Sequence, residues 1–132
     1  MECTGHFRAC TDYRMFNKCS IPSRVQKGVV SIDGLRISSE TSKFLEFNKG
    51  CSETEGQITC TSQTKVTEQG GEITNVSRRE LLISRVTGDL HYISYDGIPE
   101  NNPAFMSPGE HKRGDTVEYA AQCSVRANKR LF

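Results

Sequence analysis

Residues 81–97, LLISRVTGDLHYISYDG, decide the reading of the fold. Two alternating runs, ELLISRV (80–86) and LHYISY (90–95), are joined through Val86-Thr87-Gly88-Asp89. Successive strand side chains point to opposite faces, and Gly tolerates the positive φ that a tight reversal needs, so the stretch reads as a β-hairpin. A salt bridge between Arg85 and Asp89 across its mouth would help to set the register. His91 shares a face with Ile93 and Tyr95, opposite Leu90 and Tyr92. An outward histidine is the architectural reading. A general base is the chemical one, and it requires a nucleophile or paired carboxylate in reach. No G-x-S-x-G, H-E-x-x-H or Gly-rich phosphate loop occurs, so no catalytic residue is assigned and the chain reads as a non-enzyme.

The same two-residue period extends in both directions from the hairpin. ECTGHFRAC (2–10), VQKGVVSIDG (25–34), LRISS (35–39), KFLEFN (43–48), QITCTSQTKV (57–66), EITNVS (72–77) and TVEYAAQCSVRAN (116–128) all read as strands. Asp33-Gly34 and EQGGEIT mark turns between them. TDYRMFNKCSIPSR (11–24) reads as a pinned irregular loop, because Cys10, Cys19 and Pro22 interrupt the pattern. Pro99, Pro103 and Pro108, three of the chain's four prolines, exclude a central strand from 96–115. A connection of that length is often functional. About eight short strands therefore imply an all-β fold, an antiparallel meander closed into a small barrel, with a two-sheet sandwich as the alternative.

With 132 residues, 35% of them hydrophobic, the chain makes one domain spanning 1–132. Seventeen Lys and Arg against 16 Asp and Glu leave a charge balance that favours no polyanion, so no nucleic-acid partner is expected. No apolar run approaches the roughly 20 residues of a spanning helix. Six cysteines, an even number without a tight Cys-x-x-Cys pair, point to an oxidising compartment, periplasmic or secreted. MECTGHFRAC reads as a chain whose leader has been replaced by Met, which fits export.

Six cysteines allow about fifteen pairings. Proximity favours Cys51–Cys60 and Cys10–Cys19, which leaves Cys3 on the first strand and Cys123 on the last. If the sheet closes on itself, a Cys3–Cys123 bond would fasten the closure. The rival is a metal site from Cys3, His6, Cys10 and Cys19, but a second tight pair is missing, and Cys3 and His6 would face opposite ways. No metal or cofactor is assigned.

The long connection supplies the candidate partner-binding residues His111, Lys112, Arg113 and Asp115. Arg113-Gly114-Asp115 also matches the tripeptide that integrin ligands display on a loop, although Gly-Asp equally suits a turn into the last strand. Asn75-Val76-Ser77 fits an N-glycosylation acceptor in a eukaryotic secreted chain. In the tail RANKRLF, Arg126, Lys129 and Arg130 read as a solvated edge and Leu131 and Phe132 as a cap on the core.

The hairpin and the closing YAAQCSVRANKRLF together resemble small exported proteins of Gram-negative bacteria. Arg85, Thr87, Gly88, Tyr119, Cys123, Arg130 and Phe132 carry the likeness, with Cys3 at the other end. The resemblance implies export and a small β fold, and it implies no activity. Periplasmic lysozyme inhibitors are the nearest functional analogy. They too are small disulfide-bonded barrels that insert loop residues into an enzyme cleft, but their Ser-Gly and Lys motifs have no counterpart here, so the likeness is of fold. The expectation is an exported binding protein acting at the cell envelope through loops 96–115 and 11–23, able to inhibit an enzyme such as lysozyme by meeting its catalytic carboxylates with Lys112 and Arg113. The alternative is a small-ligand carrier with an apolar barrel interior. A carrier needs a closed apolar cavity of a few hundred Å³; a binding protein needs a filled interior and an exposed patch.

Overall fold

A computed structural model describes residues 1–13, 17–39, 43–67, 73–99 and 112–124. The chain forms eight strands: β1 (Glu2–Tyr13), β2 (Asn17–Asp33), β3 (Arg36–Ser39), β4 (Cys51–Thr54), β5 (Gln57–Thr67), β6 (Ile73–Ser84), β7 (Asp89–Gly97) and β8 (Lys112–Ser124). All eight belong to one antiparallel sheet in the order β3-β2-β1-β8-β7-β6-β5-β4. That order is the sequential meander wrapped into a ring, with β1 beside β8 as expected and the seam between β3 and β4. The sandwich alternative does not hold, because one sheet contains every strand. Residues 47–50 bridge the seam. Phe47 exchanges two backbone hydrogen bonds with Ile37 of β3, both 2.9 Å, and Gly50 O accepts from Thr61 N of β5 at 3.0 Å. The sheet is thereby nearly closed into a barrel.

The opening hairpin is β6–β7. Gly88 has φ +81°, and its backbone N–H donates to Ser84 O at 2.9 Å while its carbonyl accepts from Cys123 N at 2.8 Å. A Cβ at this position would run into the carbonyl of Cys123. Gly88 is thus required both by the turn and by its contact with the end of β8. Arg85 does not pair with Asp89. Its Nε lies 3.3 Å from Glu53 Oε1 on β4, and Asp89 Oδ2 accepts from Thr87 Oγ1 at 2.9 Å. The side chain of Thr87 holds the aspartate inside the turn, and Arg85 reaches the neighbouring hairpin.

Three further expectations change. Residues 11–13 and 17–24 extend β1 and β2 instead of forming a loop. Pairing passes from Phe7–Arg24 to Ala9–Ile21, so Pro22 and Ser23 together oppose Arg8 in a bulge, where a missing N–H breaks no ladder bond. Lys43–Leu45 is a 3-10 turn, not a strand. EITNVS and ELLISRV merge into the single strand β6.

Each disulfide joins residues directly opposite in the register: Cys3–Cys123 between β1 and β8, Cys10–Cys19 between β1 and β2, and Cys51–Cys60 between β4 and β5. No cysteine is left over, since these three bonds use all six. Such bonds are typical of extracellular and periplasmic proteins. The metal set Cys3, His6, Cys10, Cys19 accordingly has no thiolate to offer.

The interior is layered along the barrel axis. Phe7, Tyr119, Tyr92, Leu81, Cys60 and Cys51 form one inward row across six strands. Phe44, from the 3-10 turn, plugs this layer with its ring 5.0 Å from Tyr92, 5.7 Å from Phe7 and 6.0 Å from Tyr119. Ile37, Leu45, Phe47, Ile58, Ile83 and Leu90 complete the core beneath it. Arg79, at the inward position next to Leu81, holds the plug. It donates to Phe44 O at 3.0 Å and Glu46 O at 2.9 Å, and its guanidinium lies 4.2 Å from the Phe47 ring centroid. Burial pushes the Tyr119 phenol above its ordinary value of 10.0, so it stays neutral in the core. Among the described residues no helix is long and apolar enough to cross a membrane.

Candidate functional site: the outer face of β1, β8, β7 and β6

The expected 96–115 connection is shorter than the sequence suggests, because Asp96 and Gly97 end β7 and Lys112–Asp115 begin β8. His111, the side chain of Lys112 and residues 100–110 lie outside the described residues, as does the basic tail. Arg113-Gly114-Asp115 sits in the ladder with β1 on one side and β7 on the other. Gly114 is buried under the Tyr95 ring, and a Cβ there would stand 2.6 Å from Asp96 O and 2.9 Å from Gly97 Cα. The tripeptide is therefore part of a strand, not the tip of a loop. Asp115 stands directly opposite Asp96, where two like charges would repel. Thr11 Oγ1 donates to Asp115 at 3.0 Å and Asn75 Nδ2 to Asp96 at 2.9 Å, so each carboxylate has its own donor at the barrel mouth. Asn75 is half-buried and engaged in that bond, which is how the glycosylation triplet is placed.

The clefts lie on the other side of the sheet. Strand alternation turns Arg8, Cys10 and Asp12 of β1, Thr116 and Glu118 of β8, Ile93 and Tyr95 of β7, and Arg78 and Glu80 of β6 outward. The register lines them up in crosswise rows. One is Arg8–Glu118–Ile93–Glu80, and the next is Cys10–Thr116–Tyr95–Arg78. Between them runs a groove of about 450 Å³ whose lining includes Asp12, Arg78, Glu80, Ile93, Tyr95 and Thr116. A smaller pocket of about 190 Å³ adjoins it at Arg8, Cys10 and Glu118, sharing Ile93 and Thr116.

The groove has a fixed wall. Tyr95 donates its hydroxyl to Ile98 O at 2.7 Å, and the Arg78 guanidinium sits 5.4 Å from its ring centroid. The Cys10–Cys19 bond lies on this outer face, whereas Cys3–Cys123 lies inside; Cys10 shares a row with outward Thr116 and Cys3 with inward Cys123. Ile93, 37% exposed, gives the groove an apolar floor. Acid and base alternate around it, so its field has no single sign. An extended segment with mixed charge and one apolar anchor suits such a surface better than a polyanion does.

A second depression, about 510 Å³, lies further down the same face and includes His6, Val25, Leu82, His91, Ala120 and Gln122. His91 is outward, as its alternation implied. Its Nε2 is 3.8 Å from Glu118 Oε1, beyond hydrogen-bond distance, and the residue opposite it on β8 is Ala120. Sequence reasoning placed its partner-binding candidates in the connecting loop and did not single out this face. The signal was present in the alternation that separates His91, Ile93 and Tyr95 from Leu90 and Tyr92. What the sequence could not supply was the register that sets Arg8, Thr116 and Arg78 beside them. Compared with family models, curated proteins and solved structures, the chain matches none.

Proposed function

We propose that this is an exported, non-enzymatic binding protein of the bacterial cell envelope, and that it engages a macromolecular partner through the outer face of β1, β8, β7 and β6. One observation carries this reading: Phe44, Tyr92, Tyr119 and Phe47 pack together in the barrel interior, whereas clefts of about 450 and 510 Å³ open on the outer face of the sheet. A small-ligand carrier would put that space inside. Three cross-strand disulfides support export and keep the face preorganised, which lowers the ordering cost of association. Ile93 serves as the apolar anchor, and Arg8, Glu118, Glu80 and Arg78 set the orientation of the partner. An enzyme of the lysozyme class is the first specific partner to assay, on the fold-level analogy alone.

The test is site-directed photo-crosslinking in envelope extracts. A photoreactive residue at Ile93 should capture a discrete partner, and excess unlabelled protein should compete it away. The same probe at Leu35, exposed on the β2–β3 turn, should capture nothing. Equal capture from both positions, or none from Ile93, contradicts the proposal.

A further inference from the structure

His6 of β1 and His91 of β7 both stand directly opposite Ala120 of β8, one on each side. Strands in a sheet are about 4.8 Å apart, so two spacings separate the histidine backbones by about 10 Å. Alternation turns all three side chains outward, all three residues are exposed, and both imidazoles line the same depression. On the strand between them the residue in register with both is Ala120, whose side chain is a single methyl group. Any larger residue there would fill the gap; alanine leaves a space that two inclined imidazoles can close on a shared ion at nitrogen–metal distances of about 2.0–2.1 Å.

The chemistry of the surroundings narrows the ion. All six cysteines are in disulfides, so no thiolate competes. Neutral imidazole nitrogen suits zinc, nickel and copper(II) better than calcium or magnesium, which take oxygen. Glu118 lies one pair further along the same face of β8, with Oε1 3.8 Å from His91 Nε2. A small closing movement lets that carboxylate accept from one ring nitrogen and so leave the other to the metal. Among the described residues no three His, Cys, Asp or Glu side chains gather as a metal cage. Two protein ligands leave coordination positions open to water or to a donor from outside.

We propose that His6 and His91 together bind one zinc-class divalent ion across Ala120. The two histidines come from opposite ends of the chain, and only the β1–β8–β7 register brings them together. The site stands on that register and not on the binding groove, so the groove can fail while the metal site holds.

The experiment is a zinc titration of the intact, oxidised chain, followed by imidazole nitrogen NMR and by calorimetry. The His6 and His91 ring signals should shift together and saturate at one zinc per chain. His6→Ala and His91→Ala should each weaken binding at least about tenfold. Ala120→Leu keeps both imidazoles but fills the space between them, and should weaken binding to a similar degree. His111→Ala should change nothing. The proposal is overturned if no binding is seen below about 1 mM, if the two rings respond at different zinc concentrations, or if Ala120→Leu binds like the parent chain while its amide spectrum shows the same fold.

Discussion

Arg79 offers the sharpest test of how the seam is closed. The β3 and β4 strands are each four residues long, too short to complete the ring alone, and the Arg79 guanidinium holds Phe44 and Glu46 of the segment between them from inside. Arg79→Ala removes two charge-assisted hydrogen bonds, to Phe44 O and Glu46 O, and the stacking over Phe47. Hydrogen bonds to a charged group contribute about 1.5–3 kcal/mol each and a cation–π contact about 0.5–2 kcal/mol. These terms overlap and the site is only part-buried, so the low end applies, and the net loss should be about 3 kcal/mol. For a chain of 132 residues that is a fall in Tm of about 10 °C. Arg79→Lys retains the charge and one bond, and should lose about half as much.

The neighbour is the control. Arg78 faces outward over Tyr95, and Arg78→Ala should cost less than about 1 kcal/mol. Urea unfolding gives the energies. Hydrogen exchange at the Ile37 and Phe47 amides, which bond each other's carbonyls across the seam, should accelerate in Arg79→Ala before other core amides do. A loss below about 0.5 kcal/mol, the level of an ordinary surface change, would refute the reasoning. So would equal effects at Arg78 and Arg79.

The disulfides should differ in weight. On the chain-entropy model, replacing Cys3 and Cys123 by Ser, which opens a loop with a sequence separation of 120, should cost about 5 kcal/mol. The same change at Cys51 and Cys60, with a separation of 9, should cost about 2.6 kcal/mol, and comparative urea midpoints will show the order. Gly114→Ala should destabilise by about 2 kcal/mol or more, because a Cβ meets the β7 backbone at Asp96 and Gly97 as well as the Tyr95 ring; thermal unfolding checks it. Stability should fall as pH rises past 10.0, since the Tyr119 phenol ionises in the unfolded chain while the core keeps it protonated. Tyr119→Phe should flatten that alkaline limb in urea midpoints compared between pH values on either side of it.

The meander was readable because most segments alternate cleanly. QITCTSQTKV buries Ile58 and Cys60 and exposes Gln57, Thr59 and Thr61, as a strand with one wet face must. Cysteine proximity then favoured the pairs, since each close pair brackets one hairpin and the remaining two meet where the first strand pairs with the last. Reading failed where a local signal was overridden by distant contacts. Pro22 looked like a break, yet the bulge opposite Arg8 absorbs it, and KFLEFN alternates like a strand, yet Phe44 turns inward to plug the barrel. Arg79 was legible in part: alternation from Leu81 and Ile83 puts an arginine on the core side of β6, and an inward charge calls for buried acceptors. The outer groove was not legible, because its floor and walls come from four strands and a one-residue slip would have turned any of them inside.

That dependence makes register the central claim, and mapping the disulfides of the unreduced protein by mass spectrometry tests it most directly. Each bond joins two residues that the register sets face to face, two of them inside the barrel and Cys10–Cys19 on its outer face. Peptides linked as Cys3–Cys123, Cys10–Cys19 and Cys51–Cys60, with no free thiol, are the expected result. Any other linkage, or a thiol that labels without reduction, would contradict the register and with it the faces assigned to the groove and to both histidines.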